Sequence, residues 1–292
     1  MAVEAETREK AVVAKALASI GEIATLPEVT VKIIEIVEDS RSTIKDLHEV
    51  IKRDPALSTK VLRVVNSAFY GLPGQIASVD RAIILLGLSA VKNIAIAASI
   101  SRLFRGGQIS AHFTAMDLWR HSLGVGVASR AIAKAAGVVG ALDEVMLAGL
   151  IHDLGLLLER QAFADELAQV IDRCEAGEGD VLSLETEIIG ADHQVFGDAL
   201  TTKWRFPRNL RAVIGFHHCP DRLSPELQQL GAIIRTADIL CCKDKIGFHL
   251  TAHSQEFTEE LLETVDITVE QLTEIRDGLE DGLSEAEATL TI

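Results

Sequence analysis

Apolar residues recur at three- and four-residue spacing through most of this chain, the period of a helix with one buried face. In "LPEVTVKIIEIVEDS", Val29, Ile33, Ile36 and Val37 form one stripe behind Pro27 at the helix start. In "IKRDPALSTKVLRVVNSAFYG", Asp54 is a cap ahead of Pro55, with Leu57, Val61, Val64, Val65 and Ala68 facing inward and Gly71 closing the segment. "ASVDRAIILLG" repeats that arrangement, with Ser78 as cap and Gly87 as stop. The stretch 82–100 has the length of a membrane span, but Gly87, Ser89, Lys92 and Asn93 interrupt it, which predicts two core helices meeting at Gly87.

Further helices are predicted over 114–136, 141–161, 163–176, 181–204, 207–218 and 224–242, with loops at 175–180 and 218–226 where Gly, Pro and Asp gather. The last segment keeps helical spacing at Leu261, Leu262, Val265, Val269, Leu272 and Ile275, which predicts one ordered outer helix. The expected fold is all-α: a multi-helix bundle with an N-terminal helical layer. The expected divisions are an amphipathic helix over 1–19, a helical layer over 20–105, a central unit over 106–245 and a C-terminal segment over 246–292.

One stretch contradicts its own pattern. "LAGLIHDLGLLLER" (147–160) is apolar nearly all round, yet His152 and Asp153 stand in its middle. An ionised carboxylate buried alone is too costly, so it must be neutralised, paired with a cation or bound to a metal. Asp238, amid Ile233, Ile234, Ile239 and Leu240, poses the same problem. Five of the nine histidines stand inside apolar helices: His121, His152, His193, His217 and His218. His193 shares one face with Ile189, Phe196, Leu200 and Trp204 and so points inward. Each alone would be an ordinary hydrogen-bonded core residue. Five inward imidazoles with two carboxylates in one region form the set that divalent-metal chemistry requires.

Composition narrows the class. With 48% hydrophobic residues, 4% aromatics and six prolines in 292 residues, the chain has ample core and little of the punctuation of an all-β protein. The formal charge of −15 speaks against nucleic acid as a partner. Most of that charge lies in 255–292, where twelve acidic residues face one basic residue, Arg276. Cys174, Cys219, Cys241 and Cys242 have no paired spacing and read as buried thiols in a reducing cytoplasm. Neither a signal peptide nor a membrane span is expected.

"HDLG", with His121 in "LWRHS" 31 residues before it and "ADHQVFGDALTTKWRFPRNLRAVIGFHHCP" and "TAD" after it, resembles the HD superfamily of metal-dependent phosphohydrolases, and within it the HDOD family. The N-terminal stripes are similar to the HDOD pattern as well, so the resemblance covers about residues 20–245. It implies an HD-type bundle and places metal positions on His121, His152, Asp153 and Asp238. The extra positions of the related HD-GYP phosphodiesterases fall on His193, His217 and His218. It implies one or two divalent ions (iron, manganese, zinc or nickel), with Asp153 as the bridging and catalytic candidate. It departs from HD-GYP enzymes in two places. Leu156 stands where they carry a lysine, and no Gly-Tyr-Pro follows His217 and His218. Lys203, Arg205, Arg208 and Arg211 follow His193 closely and read as solvated helix charges.

Three readings follow. The first is a non-catalytic bacterial signalling module that works through partner proteins or a small nucleotide-like ligand. The second is a metal-dependent phosphohydrolase acting on a nucleotide or cyclic dinucleotide. The third is a metal-free polar core.

Overall fold

The computed structural model describes residues 2–19, 27–38, 41–67, 70–104 and 106–291, and the regular structure among them is helical apart from one isolated bridge between Gln108 and Thr114. The N-terminal part holds α1 (Ala2–Ala18), α2 (Glu28–Glu38), α3 (Ile44–Lys52), α4 (Pro55–Val65), α5 (Val79–Leu86) and α6 (Leu88–Ile100). Local chemistry sets these ends. The Asp54 carboxylate accepts from the backbone N–H of Leu57, with Pro55 in the first helical position, and the Ser78 hydroxyl accepts from that of Arg81. α5 and α6 meet at Gly87, whose φ of +88° suits glycine.

Two details differ from the pattern. α2 buries Thr30, Ile33 and Ile34, while Val29 and Ile36 are half-buried, so its inner face is turned slightly from the predicted stripe. α4 stops at Val65, well before Gly71, because the Asn66 side chain closes the following loop: its Oδ1 accepts from Ile76 N–H (2.7 Å) and its Nδ2 donates to Ile76 C=O (2.8 Å). Ala68 and the Val37 side chain lie outside the described residues.

The central helices are α7 (Ala115–Ala135), α8 (Leu142–Ile151), α9 (Leu154–Ala162), α10 (Ala164–Glu175), α11 (Val181–Ile188), α12 (His193–Lys203), α13 (Arg208–Phe216) and α14 (Pro225–Lys243). α7 packs on α8 and α14, and α6 packs on α8 to join the N-terminal layer to this core. Two helices expected to be continuous are broken. The chain turns at His152–Asp153 between α8 and α9, and again at 189–192, where Gly190 has φ +108° and Asp192 caps α12. Ile189 is buried but lies off the helix that carries His193, Phe196 and Leu200.

The acidic segment is not one helix but three: α15 (Glu259–Val265), α16 (Val269–Asp277) and α17 (Leu279–Leu290). Asp266 ends α15 with φ +69°, and Thr268 opens α16 in a reciprocal capping box with Gln271. Leu261, Leu262, Val265 and Leu272 are buried as the spacing predicts, whereas Val269 is exposed. α17 lies on α7, where Arg120 donates to Glu287 at 2.6 Å and Glu280 at 2.8 Å. No helix of the described residues is long and apolar enough to cross a membrane.

Candidate metal centre

The seven residues singled out from the sequence meet in one buried cluster, although they come from five places in the chain. His121 lies in the middle of α7 and Asp238 in α14. His152 and Asp153 form the turn between α8 and α9, and His193 is the first residue of α12. His217 and His218 directly follow α13. The break at His152–Asp153 matters here. On a continuous helix these two side chains would splay by about 100°. At the turn, Asp153 Oδ2 comes within 3.1 Å of His152 Nε2.

Asp153 stands between two halves of the cluster. Its Oδ2 faces His152 and also His121 (3.7 Å), while Oδ1 faces His193 and His217, each at 3.4 Å. Asp238 Oδ1 closes the first half, 3.2 Å from His121 Nε2 and 3.9 Å from His152 Nε2. His218 closes the second, its Nε2 3.0 Å from His193 Nε2.

The outer nitrogens of the rings are held by other groups. Nδ1 of His121, His152 and His217 approaches the carbonyls of Ile246 (3.3 Å), Gly149 (2.7 Å) and Ile214 (2.8 Å). Nδ1 of His193 bonds the Glu185 carboxylate at 2.9 Å. A ring that donates from Nδ1 presents its Nε2 lone pair inward.

The inward atoms lack partners. Nε2 of His121 and His152, both oxygens of Asp153 and Oδ2 of Asp238 are buried without a hydrogen bond. Buried polar atoms are rarely left so, and each costs about 1–3 kcal/mol or more when charged. A divalent cation satisfies all of them at once, and two carboxylates offset its charge. The donor set of imidazole and carboxylate therefore fits one or two such ions, in the groups Asp153–His193–His217–His218 and His121–His152–Asp153.

Electrostatics follow the same geometry. Burial pushes the Asp153 carboxyl up, but His152, then His217 and His193, outweigh it and hold it well below the usual range. Asp238 is likewise depressed, by His121 and His152 against burial. Burial alone would lower His193, yet the Glu185 carboxylate raises it to about 10. Burial, reinforced by His217 and His193, pushes His218 well below its ordinary value.

Glu185 was missed in the sequence. Its signal was its place with Val181, Leu184 and Ile188 at spacings of three and four, a charge on a mainly apolar face. Glu159 was missed too. It is fully buried beside Glu185, and burial first, then that neighbour, raises its carboxyl well above the usual range. A raised carboxyl favours folding fully below the unfolded pKa, and that contribution is lost as pH rises towards the folded value. Glu159→Gln, neutral and of similar shape, is expected to remove this loss. Thermal melts of the ion-free protein at pH 5 and pH 8 should show the variant near wild type at the lower pH and more stable by more than ~1 kcal/mol at the higher. A variant less stable at pH 8 than at pH 5, relative to wild type, contradicts the neutral Glu159.

A stretch beyond α14 covers the cluster. Besides Ile246, Thr251 Oγ1 donates to Asp238 Oδ1 (3.3 Å), and Gln255 Nε2 lies 2.9 Å from His218 Nδ1. Phe248 N–H donates to Asp117 C=O of α7 at 3.0 Å. Gly247 makes that approach feasible, since a Cβ there would lie 2.1 Å from the same carbonyl, at φ +60°. Leu156 is buried, so no cation stands at its position. The basic residues after His193 point elsewhere: Lys203 donates to Leu17 C=O, Arg205 pairs with Glu35, Arg211 with Asp198, and Arg208 is exposed.

The family model described as the HDOD domain matches residues 23–220. An HDOD domain protein from Geobacter sulfurreducens is 21% identical, with a TM-score of 0.80 over 98% of this chain and 99% of that one. A Shewanella amazonensis protein provisionally named a phosphohydrolase is 23% identical, with a TM-score of 0.71 over 95% of this chain and 98% of that one. A curated protein of Treponema pallidum is 24% identical over 216 residues, which span 74% of this chain and 41% of that relative's length.

Proposed function

The chain belongs to the HDOD family, and on that premise we propose that it is a bacterial cytoplasmic signalling module, non-catalytic, which carries divalent metal as part of its core. His121, His152, Asp153 and Asp238 hold one ion, and Asp153, His193 and His217, with His218 beside them, form a second position. Iron, manganese, zinc and nickel all suit imidazole and carboxylate donors. Its working contacts are with signalling proteins or a small nucleotide-like ligand.

The observation that carries this reading is closure. The side chains of His121, His152, Asp153, His193, His217 and Asp238 have no exposed surface, and His218 has 4%. A phosphoester has to reach such a centre before it can be cleaved. The stretch 246–255 lies across it, and Leu156 offers an incoming phosphate no charge.

The second reading is a metal-dependent phosphohydrolase acting on a nucleotide or cyclic dinucleotide. It is favoured by the two-sided placement of Asp153. An ion bound here would supply Lewis-acid activation of water near neutral pH. Elemental analysis of protein purified without a metal-affinity step, paired with a turnover screen on phosphomonoesters, nucleotides and cyclic dinucleotides, separates the readings. Bound transition metal with turnover at background is expected. Turnover that disappears in Asp153→Asn would replace the module with the hydrolase.

A further inference from the structure

The five imidazoles of the cluster are not equivalent, and the difference lies in what their outer nitrogens meet. Three of them face backbone carbonyls and His193 faces a carboxylate, all acceptors, so each of these rings must donate from Nδ1. His218 faces a side-chain amide instead, with Gln255 Nε2 at 2.9 Å. The orientation of that amide is decided by a third residue. Arg235 Nε reaches Gln255 Oε1 at 3.2 Å, and a guanidinium can only donate. The oxygen of Gln255 must therefore face Arg235 and its NH2 must face His218, so Nδ1 of His218 is an acceptor. Asp238 Oδ2, at 3.8 Å from that nitrogen, is beyond hydrogen-bond reach.

A neutral imidazole that accepts at Nδ1 carries its proton on Nε2. The bond to His193 agrees with that direction when His193 is neutral, while the Nε2 lone pairs of His193 and His217 face each other at 3.4 Å. His218 Nε2–H can donate to His193 Nε2 (3.0 Å), while His193 donates from Nδ1 to Glu185. Arg235, Gln255, His218, His193 and Glu185 thus form one chain of donors and acceptors with a single consistent sense.

We propose that Arg235 and Gln255 are positioning residues that hold His218 with its proton on Nε2, as a hydrogen-bond donor to His193 and not as a ligand to the metal. This rests on the ion-holding reading above and divides its two positions unequally. The first has two imidazoles and two carboxylates. The second keeps Asp153 Oδ1 and His217 and gains His193 only when its Nε2 leaves the bond from His218: at most three donors and one charge, where a closed site takes four. The first ion is resident, and the second position fills and empties with the supply of free divalent metal. Such a difference gives the module a metal-responsive state without any need for substrate to enter.

Histidine-labelled 15N NMR of the ion-free protein reads the tautomers directly. His218 should be protonated on Nε2, and His121, His152 and His217 on Nδ1. Protonation of His218 on Nδ1 overturns the proposal. Co(II) titration of metal-stripped protein reads the consequence. Wild type should take up two ions of unequal affinity, His218→Ala should keep both, and His217→Ala should keep only the tighter one. Gln255→Glu reverses the bond, because a carboxylate accepts from Nδ1–H and frees Nε2 to coordinate. The weaker ion should then bind roughly tenfold tighter or more, with a Co(II) spectrum changed towards four-coordinate. Loss of the weaker ion from His218→Ala, or no change in Gln255→Glu, overturns the proposal, provided circular dichroism shows both variants folded. A wild type that binds no ion refutes the ion-holding reading itself.

Discussion

Asp153→Asn is expected to empty both metal positions in one step. Asp153 alone has an oxygen on each side of the cluster: Oδ2 towards His152 and His121, Oδ1 towards His193 and His217. The amide keeps the shape of the carboxylate but loses the charge, and one of its two ends becomes an N–H2 donor that repels a cation. Asp238→Asn should act on one side only, since Asp238 faces His121 and His152. Metal content by mass spectrometry is therefore expected to fall below about a tenth of wild type in Asp153→Asn, and to fall only partly in Asp238→Asn. Stability should follow by linkage: an ion at a thousand times its dissociation constant contributes about 4 kcal/mol to the folded state. Adding chelator should lower the melting temperature of wild type and leave Asp153→Asn almost unmoved. Wild-type metal content in Asp153→Asn would show that the carboxylate does not hold the ions.

The parts of this architecture visible in the sequence are those specified by local chemistry. Asp54 ahead of Pro55, Ser78, and Gly87 between two apolar runs mark helix ends because a side-chain oxygen or a glycine there satisfies backbone needs that few other residues can. The buried histidine and aspartate cluster was visible for a different reason: buried ionisable residues are so unfavourable alone that their presence on apolar faces demands a partner. The breaks were hidden. Around His152 and Asp153 the chain is apolar on every side, so periodicity is the same whether the helix continues or turns. At 189–192 the stripe from Ile189 to Trp204 suggested continuity, although Gly190 and Asp192 carried the signs of a stop and a new cap. Thr268 and Gln271 carried the same kind of sign in the acidic segment. Hidden too were the groups that hold the ligands from outside. Gln255 and Thr251 act through contacts with residues many positions away, which no local pattern encodes.

Gly155→Ala is expected to be the most damaging single-methyl change in the centre. Gly155 is the last residue of "HDLG", two positions after Asp153, and its Cα lies against the backbone where α12 begins. A Cβ built there would lie 1.8 Å from the carbonyl oxygen of His193 and 2.9 Å from the backbone nitrogen of Gly197. Both are main-chain atoms, so no rotamer change relieves the clash, and α9 and α12 have to move apart. Overpacking of an ordinary core site costs about 1–3 kcal/mol. With rigid backbone on both sides, the cost should exceed about 3 kcal/mol, seen as a large fall in melting temperature or in soluble yield. Gly278→Ala is a fair control, because its Cβ would meet nothing closer than 3.8 Å; its melting temperature should stay near that of wild type. Separation of the two helices also carries His193 away from Asp153, so any Gly155→Ala protein that folds should bind the second ion more weakly than wild type does. A variant with wild-type stability and two ions bound would mean that α9 and α12 do not meet at Gly155, and the placement of His193 would fall with it.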